Sequence, residues 1–148
     1  VVPADVENGC LLVVPGSHRL GELATHCKPT PQTPSFKGIP DQIVSEDRLP
    51  VPVDPGDIIV MDKLTQHCSL KNVSDRLRWS FDLRYHVAGQ PPGQGGREAW
   101  TARSRSNPES EMRDFEEWEA LWRNIITREA RDGIEDHTRF SLNDPLCV

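Results

Sequence analysis

Long apolar runs are missing from this sequence. No stretch approaches bilayer-spanning length and no charged-then-apolar leader opens it, so nothing in it reads as a membrane helix or a signal peptide. Clustered positive charge is missing too. Lys and Arg number 17 against 23 Asp and Glu, a net charge of −6, and no basic stripe is present to follow a phosphate backbone, which sets nucleic acid aside as a partner. The four cysteines, Cys10, Cys27, Cys68 and Cys147, form no C-x-x-C pair and no dense scaffold, so ordinary thiols in a reducing, cytoplasmic setting are expected. His26-Cys27 and His67-Cys68 invite a zinc site, but neighbours on an extended chain point to opposite faces, and neither pair can easily grip one ion alone. No glycine pattern fits a phosphate loop between strand and helix, and no internal repeat occurs. The chain opens on Val rather than Met, as expected of a piece or a processed form.

What is present is an ordinary globular composition: 148 residues, 27% charged and 36% hydrophobic, enough for one domain with a core. Its organising stretch is 50–86. Val51 and Val53 lead into the turn Asp54-Pro55-Gly56-Asp57, where Pro fixes φ and Gly tolerates a positive φ. Ile58 to Met61 is a short β-branched run that predicts a buried strand, and His67 follows on a polar loop. From Arg78 the chain alternates, with Trp79, Phe81 and Leu83 on one face and Arg78, Ser80, Asp82 and Arg84 on the other. A bulky apolar face opposite one of Arg and Ser predicts a barrel wall around a polar site.

Elsewhere, Cys10 to Val14 reads as a strand introduced by Asn8-Gly9 and stopped by Pro15-Gly16. His18 follows in a loop, where hydrogen bonding at a barrel rim is a better reading than metal ligation. Residues 25–49 carry Pro29, Pro31, Pro34 and Pro40, which exclude a regular helix and predict a lid or binding loop. Gly and Pro dominate 89–96, a linker. Arg103-Ser104-Arg105-Ser106 reads as a solvated turn, with an anion patch as the sharper alternative. Asn107 and Pro108 cap a helix expected to run to about Asp132. Its stripe of Met112, Phe115, Trp118, Leu121, Trp122, Ile125 and Ile126 is expected to pack on the barrel.

Gly56-Asp57, the Ile58–Met61 run, His67 with Ser69 and Asn72, Arg78 and Arg84-Tyr85 follow one another in the order of a known family's late core. Asn8-Gly9-Cys10-Leu11 running into Pro15-Gly16-Ser17-His18 forms a second such signature, and Arg103 to Pro108 a third. Over roughly residues 5–130 the sequence resembles the C-terminal half of the phytanoyl-CoA dioxygenase family, non-haem iron(II) and 2-oxoglutarate oxygenases. The resemblance implies a mainly β fold, the C-terminal part of a double-stranded β-helix (jelly-roll or cupin-like) with a flanking C-terminal helix. It places late barrel strands at 1–88 with a lid loop at 25–49, a linker at 89–106, a packing helix at 107–133 and a tail at 134–148, together one incomplete domain. It implies that the Pro15–His18 turn shapes the site without holding iron.

By the same resemblance His67 is an iron ligand. Arg78, eleven residues on, clamps the far carboxylate of 2-oxoglutarate, and Ser80 adds a hydrogen bond to it. A planar, bidentate Arg suits a carboxylate better than Lys does. Iron(II), 2-oxoglutarate and O2 are the implied cofactor and cosubstrates, and the implied substrate is a small organic molecule, with acyl-CoA one possibility. The family's other ligands come as H-x-D or H-x-E upstream of the Asn8-Gly9 signature, and here the five histidines are followed two residues on by Leu20, Lys28, Ser69, Ala88 and Arg139. This chain alone is therefore expected to be inactive, the C-terminal portion of an oxygenase. A halogenase of the same superfamily and a catalytically dead β-helix serving as a binding module are the alternatives. Oligomeric state is open.

Overall fold

Asp5 to Cys10 fold back on themselves before the first strand begins. The Asp5 N–H donates to Asn8 Oδ1 at 2.8 Å, the Asn8 N–H returns to Asp5 Oδ1 at 2.9 Å, and the Asn8 side-chain amide donates to the Pro3 carbonyl at 2.7 Å. Gly9 takes φ +88°, and a Cβ there would stand 2.6 Å from the Leu70 carbonyl oxygen, so the turn requires glycine. Asn8 and Cys10 are fully buried. Burying Asn8 is tolerable because its side chain spends its polar atoms on backbone partners.

From this knot the chain enters β1 (Leu11–Val13), the central strand of a three-stranded antiparallel sheet. On one side lies β2 (Leu49–Val51), with Leu11 opposite Val51 and Val13 opposite Leu49. On the other lies β3 (His67–Ser69), with Leu11 opposite Ser69 and Val13 opposite His67. Opposed residues share a face. Leu11, Val13, Leu49, Val51, His67 and Ser69 therefore line one side of the sheet, and Leu12, Pro50 and Cys68 the other. Isolated antiparallel bridges join Ala4 to Val53 and Cys27 to Gly38.

The structure, a computed structural model, describes residues 2–27, 38–90, 99–132 and 144–147. Lid-loop residues 28–37, linker residues 91–98 and tail residues 133–143 lie outside the described residues. The chain divides into two compact units, Val1–Asp82 with Phe140–Val148, and Leu83–Arg139. The second unit holds a long helix, α1 (Phe115–Asp132). It starts later than Asn107-Pro108 predicts: Pro108–Ser110 makes only a 3-10 turn, and Asp114 Oδ1 caps α1 by accepting the Glu116 and Glu117 N–H groups at 2.8 and 3.1 Å. Trp100 packs edge-on against Trp118 and Trp122 of α1, with ring centroids 6.2 and 6.0 Å apart. Ile125 is buried, while Phe115 and Ile126 stay exposed.

The antiparallel sheet and the helix agree with the mainly β expectation at that coarse level, but three local expectations are corrected. Ile58–Met61 forms no strand, and Ile58 is 86% exposed, because no described segment pairs with it. Arg78–Arg84 likewise joins no ladder, and Trp79, Phe81 and Leu83 all lie exposed rather than packed. Cys27 and Cys147 are joined in a disulfide, so two of the four expected thiols are not free. Chain positions 120 residues apart meet there, aided by the Thr25 hydroxyl donating to Asp144 at 3.0 Å, a proximity that no local Cys spacing encodes.

Candidate functional site

His67 opens β3 instead of standing on a loop, which corrects the sequence expectation. The ladder with β1 explains the difference, since Thr-Gln-His-Cys-Ser lacks the apolar alternation of a strand yet gains a partner distant in sequence. His67 Nδ1 lies 2.8 Å from the Thr65 carbonyl oxygen. A carbonyl only accepts, so in the neutral ring Nδ1 carries the proton and Nε2 keeps its lone pair, the form in which imidazole binds a metal. The ring is exposed on the sheet face it shares with Ser69.

Arg78 reaches that same face. Its Nη2 donates to Ser69 Oγ at 3.2 Å, which ties the guanidinium to the residue two positions beyond His67. Arg78 Nε is buried and has no partner among the described residues. An orphaned guanidinium N–H is costly unless an acceptor fills it, and a carboxylate is the acceptor that matches the planar fork. Ser80 lies exposed two residues on, and the hydroxyl that meets Arg78 is Ser69's. The sequence signal for Ser69 was its place one strand repeat after His67, on the same face.

Several contacts brace this corner. Arg76 Nη2 pairs with Asp5 Oδ2 at 2.8 Å and sits 3.6 Å from Glu7, and the Val73 N–H donates to the Glu7 carbonyl at 2.8 Å. The Asn8 N–H, and after it the Arg76 guanidinium, hold the Asp5 carboxyl below the usual carboxylate range against the opposing effect of partial burial. Asn72 closes the next turn, accepting from the Ser74 N–H at 2.9 Å and donating to the Arg76 carbonyl at 2.7 Å. An open groove of about 420 Å³ is lined by Val13, Val51, Ile59, Met61 and Thr65, together with His18. In the second unit Arg103 and Arg113 both pair with Glu111, at 2.7 and 2.6 Å, so Arg103 is internally neutralised.

The donor set fits a non-haem iron and 2-oxoglutarate in part. His67 offers one imidazole nitrogen, and Arg78 offers an unfilled donor to a carboxylate on the same face. Among the described residues no three His, Cys, Asp or Glu side chains converge on one point. No helix there is long and apolar enough to cross a membrane.

Comparison with known proteins gives the same direction. The family model for phytanoyl-CoA dioxygenase (PhyH) matches residues 1–80, which include His67, Ser69, Arg78 and Ser80 but not Arg84-Tyr85 or the Arg103–Pro108 stretch. A curated relative, "Probable phytanoyl-CoA dioxygenase" of Caenorhabditis elegans, is 33% identical over 81 residues, 53% of this chain and 26% of the relative. The chain thus spans about a quarter of the curated relative that it matches. No solved structure matches it.

Proposed function

The chain belongs to the phytanoyl-CoA dioxygenase family, and on that premise we propose that it forms the late-core part of a non-haem iron(II)/2-oxoglutarate oxygenase hydroxylating a small organic substrate. The observation that carries the reading is Arg78: a buried Nε without a partner among the described residues, beside Ser69, on the sheet face of His67. In this reading the guanidinium and the Ser69 hydroxyl take the far carboxylate of 2-oxoglutarate, and His67 Nε2 takes one iron position. Bound iron(II) and 2-oxoglutarate would supply the oxidising chemistry. This chain's residues orient them.

The second histidine and the carboxylate of the iron site come from other parts of the oxygenase, since no H-x-D or H-x-E occurs in this sequence. The exposed side chains of Ile58, Val60, Trp79 and Phe81 support a larger β-helix. A surface of this kind is stable only when covered, and further barrel strands are the cover in this reading.

Calorimetric titration of 2-oxoglutarate into the natural protein carrying this sequence tests the proposal. Arg78→Ala removes a charge-assisted hydrogen bond and is expected to weaken binding by about 1.5–3 kcal/mol, roughly ten- to 150-fold. Affinity unchanged by Arg78→Ala takes Arg78 out of the site, and the barrel then reads as a binding module.

A further inference from the structure

The β1–β3 ladder has an unusual last rung, immediately before His67. Beyond the Val13–His67 pair the next residues to meet are Val14 and Gln66. The Val14 N–H donates to the Gln66 carbonyl at 3.0 Å, as an antiparallel pair requires. The reciprocal bond does not run directly. Instead the Gln66 N–H donates to Ser17 Oγ at 2.8 Å, and that hydroxyl donates onward to the Val14 carbonyl at 2.9 Å. The assignment is forced, because an N–H can only donate and a hydroxyl has a single proton to pass on.

A side chain from the Ser17–Leu20 turn is therefore spliced into the sheet as part of a rung. Ser17 is 7% exposed and Gln66 8%, so no solvent competes for these bonds. The Gln66 N–H and the Thr65 carbonyl belong to one peptide unit, so the Ser17 hydroxyl that accepts from Gln66 holds the orientation of that unit. That Thr65 carbonyl accepts the His67 Nδ1–H. Gly16 permits the splice, since its φ of +78° swings the chain so that Ser17 returns over Val14.

We infer that Ser17 is a positioning residue for His67: its buried hydroxyl sets the path of Thr65 and Gln66, and through the Thr65 carbonyl it fixes the imidazole tautomer that leaves Nε2 free. The consequence for metal binding rests on the reading of His67 as an iron ligand, but the structural effect does not. Partners that orient a ligating histidine typically govern its metal affinity by about 10–100-fold.

Nitrogen-15 NMR of the neutral His67 ring reads the tautomer directly. Wild type is expected in the Nδ1–H form. In Ser17→Ala the Gln66 N–H can close straight onto the Val14 carbonyl, so the fold survives while the Thr65–His67 bond is lost and the Nε2–H form grows in. Ser17→Thr keeps the hydroxyl and restores the Nδ1–H form. A folded Ser17→Ala protein, shown by retained β1–β3 cross-strand contacts, with His67 still fully Nδ1–H overturns the inference. The parallel probe is cobalt(II) binding to the natural protein, expected to weaken about 10–100-fold in Ser17→Ala. Wild-type cobalt binding that is indifferent to loss of His67 would sink the iron-ligand reading and leave the tautomer result to judge Ser17.

Discussion

Replacing Gly9 with alanine tests whether the turn before β1 braces the strand that carries the candidate site. Two effects act on the new Cβ. The backbone sits at φ +88°, where an L side chain costs about 1–2 kcal/mol. The Cβ would also stand 2.6 Å from the Leu70 carbonyl oxygen and 3.3 Å from the Asn72 nitrogen, and both neighbours are backbone and cannot swing aside. Displacing them adds an overpacking cost of about 1–3 kcal/mol. Gly16 is the internal control, with φ +78° but no atom within 4 Å of the position an added Cβ would take, so Gly16→Ala carries the backbone cost alone. Native-state hydrogen exchange at the β1 and β3 amides is the assay. Gly9→Ala should speed exchange by roughly 30-fold to several thousand-fold, and Gly16→Ala by about 5- to 30-fold. Equal acceleration in the two variants would refute the steric argument and leave Leu70 uncoupled from Gly9. Because Leu70 directly follows Ser69 and its N–H donates to the Cys10 carbonyl at 3.0 Å, a real clash must also disturb the Ser69–Arg78 contact.

Two further outcomes are expected. The Ser104 N–H, with Arg113 and Arg103 after it, lowers the Glu111 carboxyl from 4.5 to about 2, so the stability this group adds is present above pH 4.5 and is lost as the pH falls towards 2. Urea unfolding followed by tryptophan fluorescence should show that acid loss in wild type and little of it in Glu111→Gln; an identical acid profile in both would rule Glu111 out as the cause. Non-reducing peptide mass spectrometry should recover Cys27 linked to Cys147, and reduction should lower the stability of that unit by about 2–5 kcal/mol, whereas native alkylation of both residues as free thiols would contradict the pairing.

The parts of the fold that were legible in the sequence are those with local causes. Asn8-Gly9 and Pro15-Gly16 bracket β1 because turn chemistry acts within a few residues, and the strand falls inside the expected Cys10–Val14 window. The helix was legible for the same reason, although its start was misplaced, since Asp114 with Glu117 three residues on is a stronger cap signal than Asn107-Pro108, and Phe115, Trp122 and Ile126 of the expected apolar stripe stay exposed. What was not legible depended on distant partners. Ile58–Met61 has the composition of a buried strand, but composition states a preference for being covered and does not supply the cover. His67–Ser69 has the reverse character, polar residues held as a strand because β1 pairs with them. The Cys27–Cys147 contact spans 120 residues and leaves no local trace.

The candidate site divides along the same line. Ser69 and Arg78 are nine residues apart and meet across a turn that Asn72 and Ser74 help to close, so part of their proximity is encoded locally, while β1 and Asp5 supply the rest. His67 needs more: β1 for its strand, Thr65 for its tautomer, and Ser17, fifty positions earlier, for the rung beside it. Reading residue types alone, Ser80 and Ser69 are equivalent donors beside Arg78, one two residues away and the other nine. Geometry separates them, because Ser69 is fixed in the ladder on the His67 face while Ser80 lies on a segment that no described strand pairs with. A polar group can pre-organise a charged ligand only if its own position is held before the ligand arrives. On that ground the proposed carboxylate clamp draws on Ser69, the hydroxyl already held beside Arg78, and the strand that holds it is the one whose first rung includes the Ser17 hydroxyl.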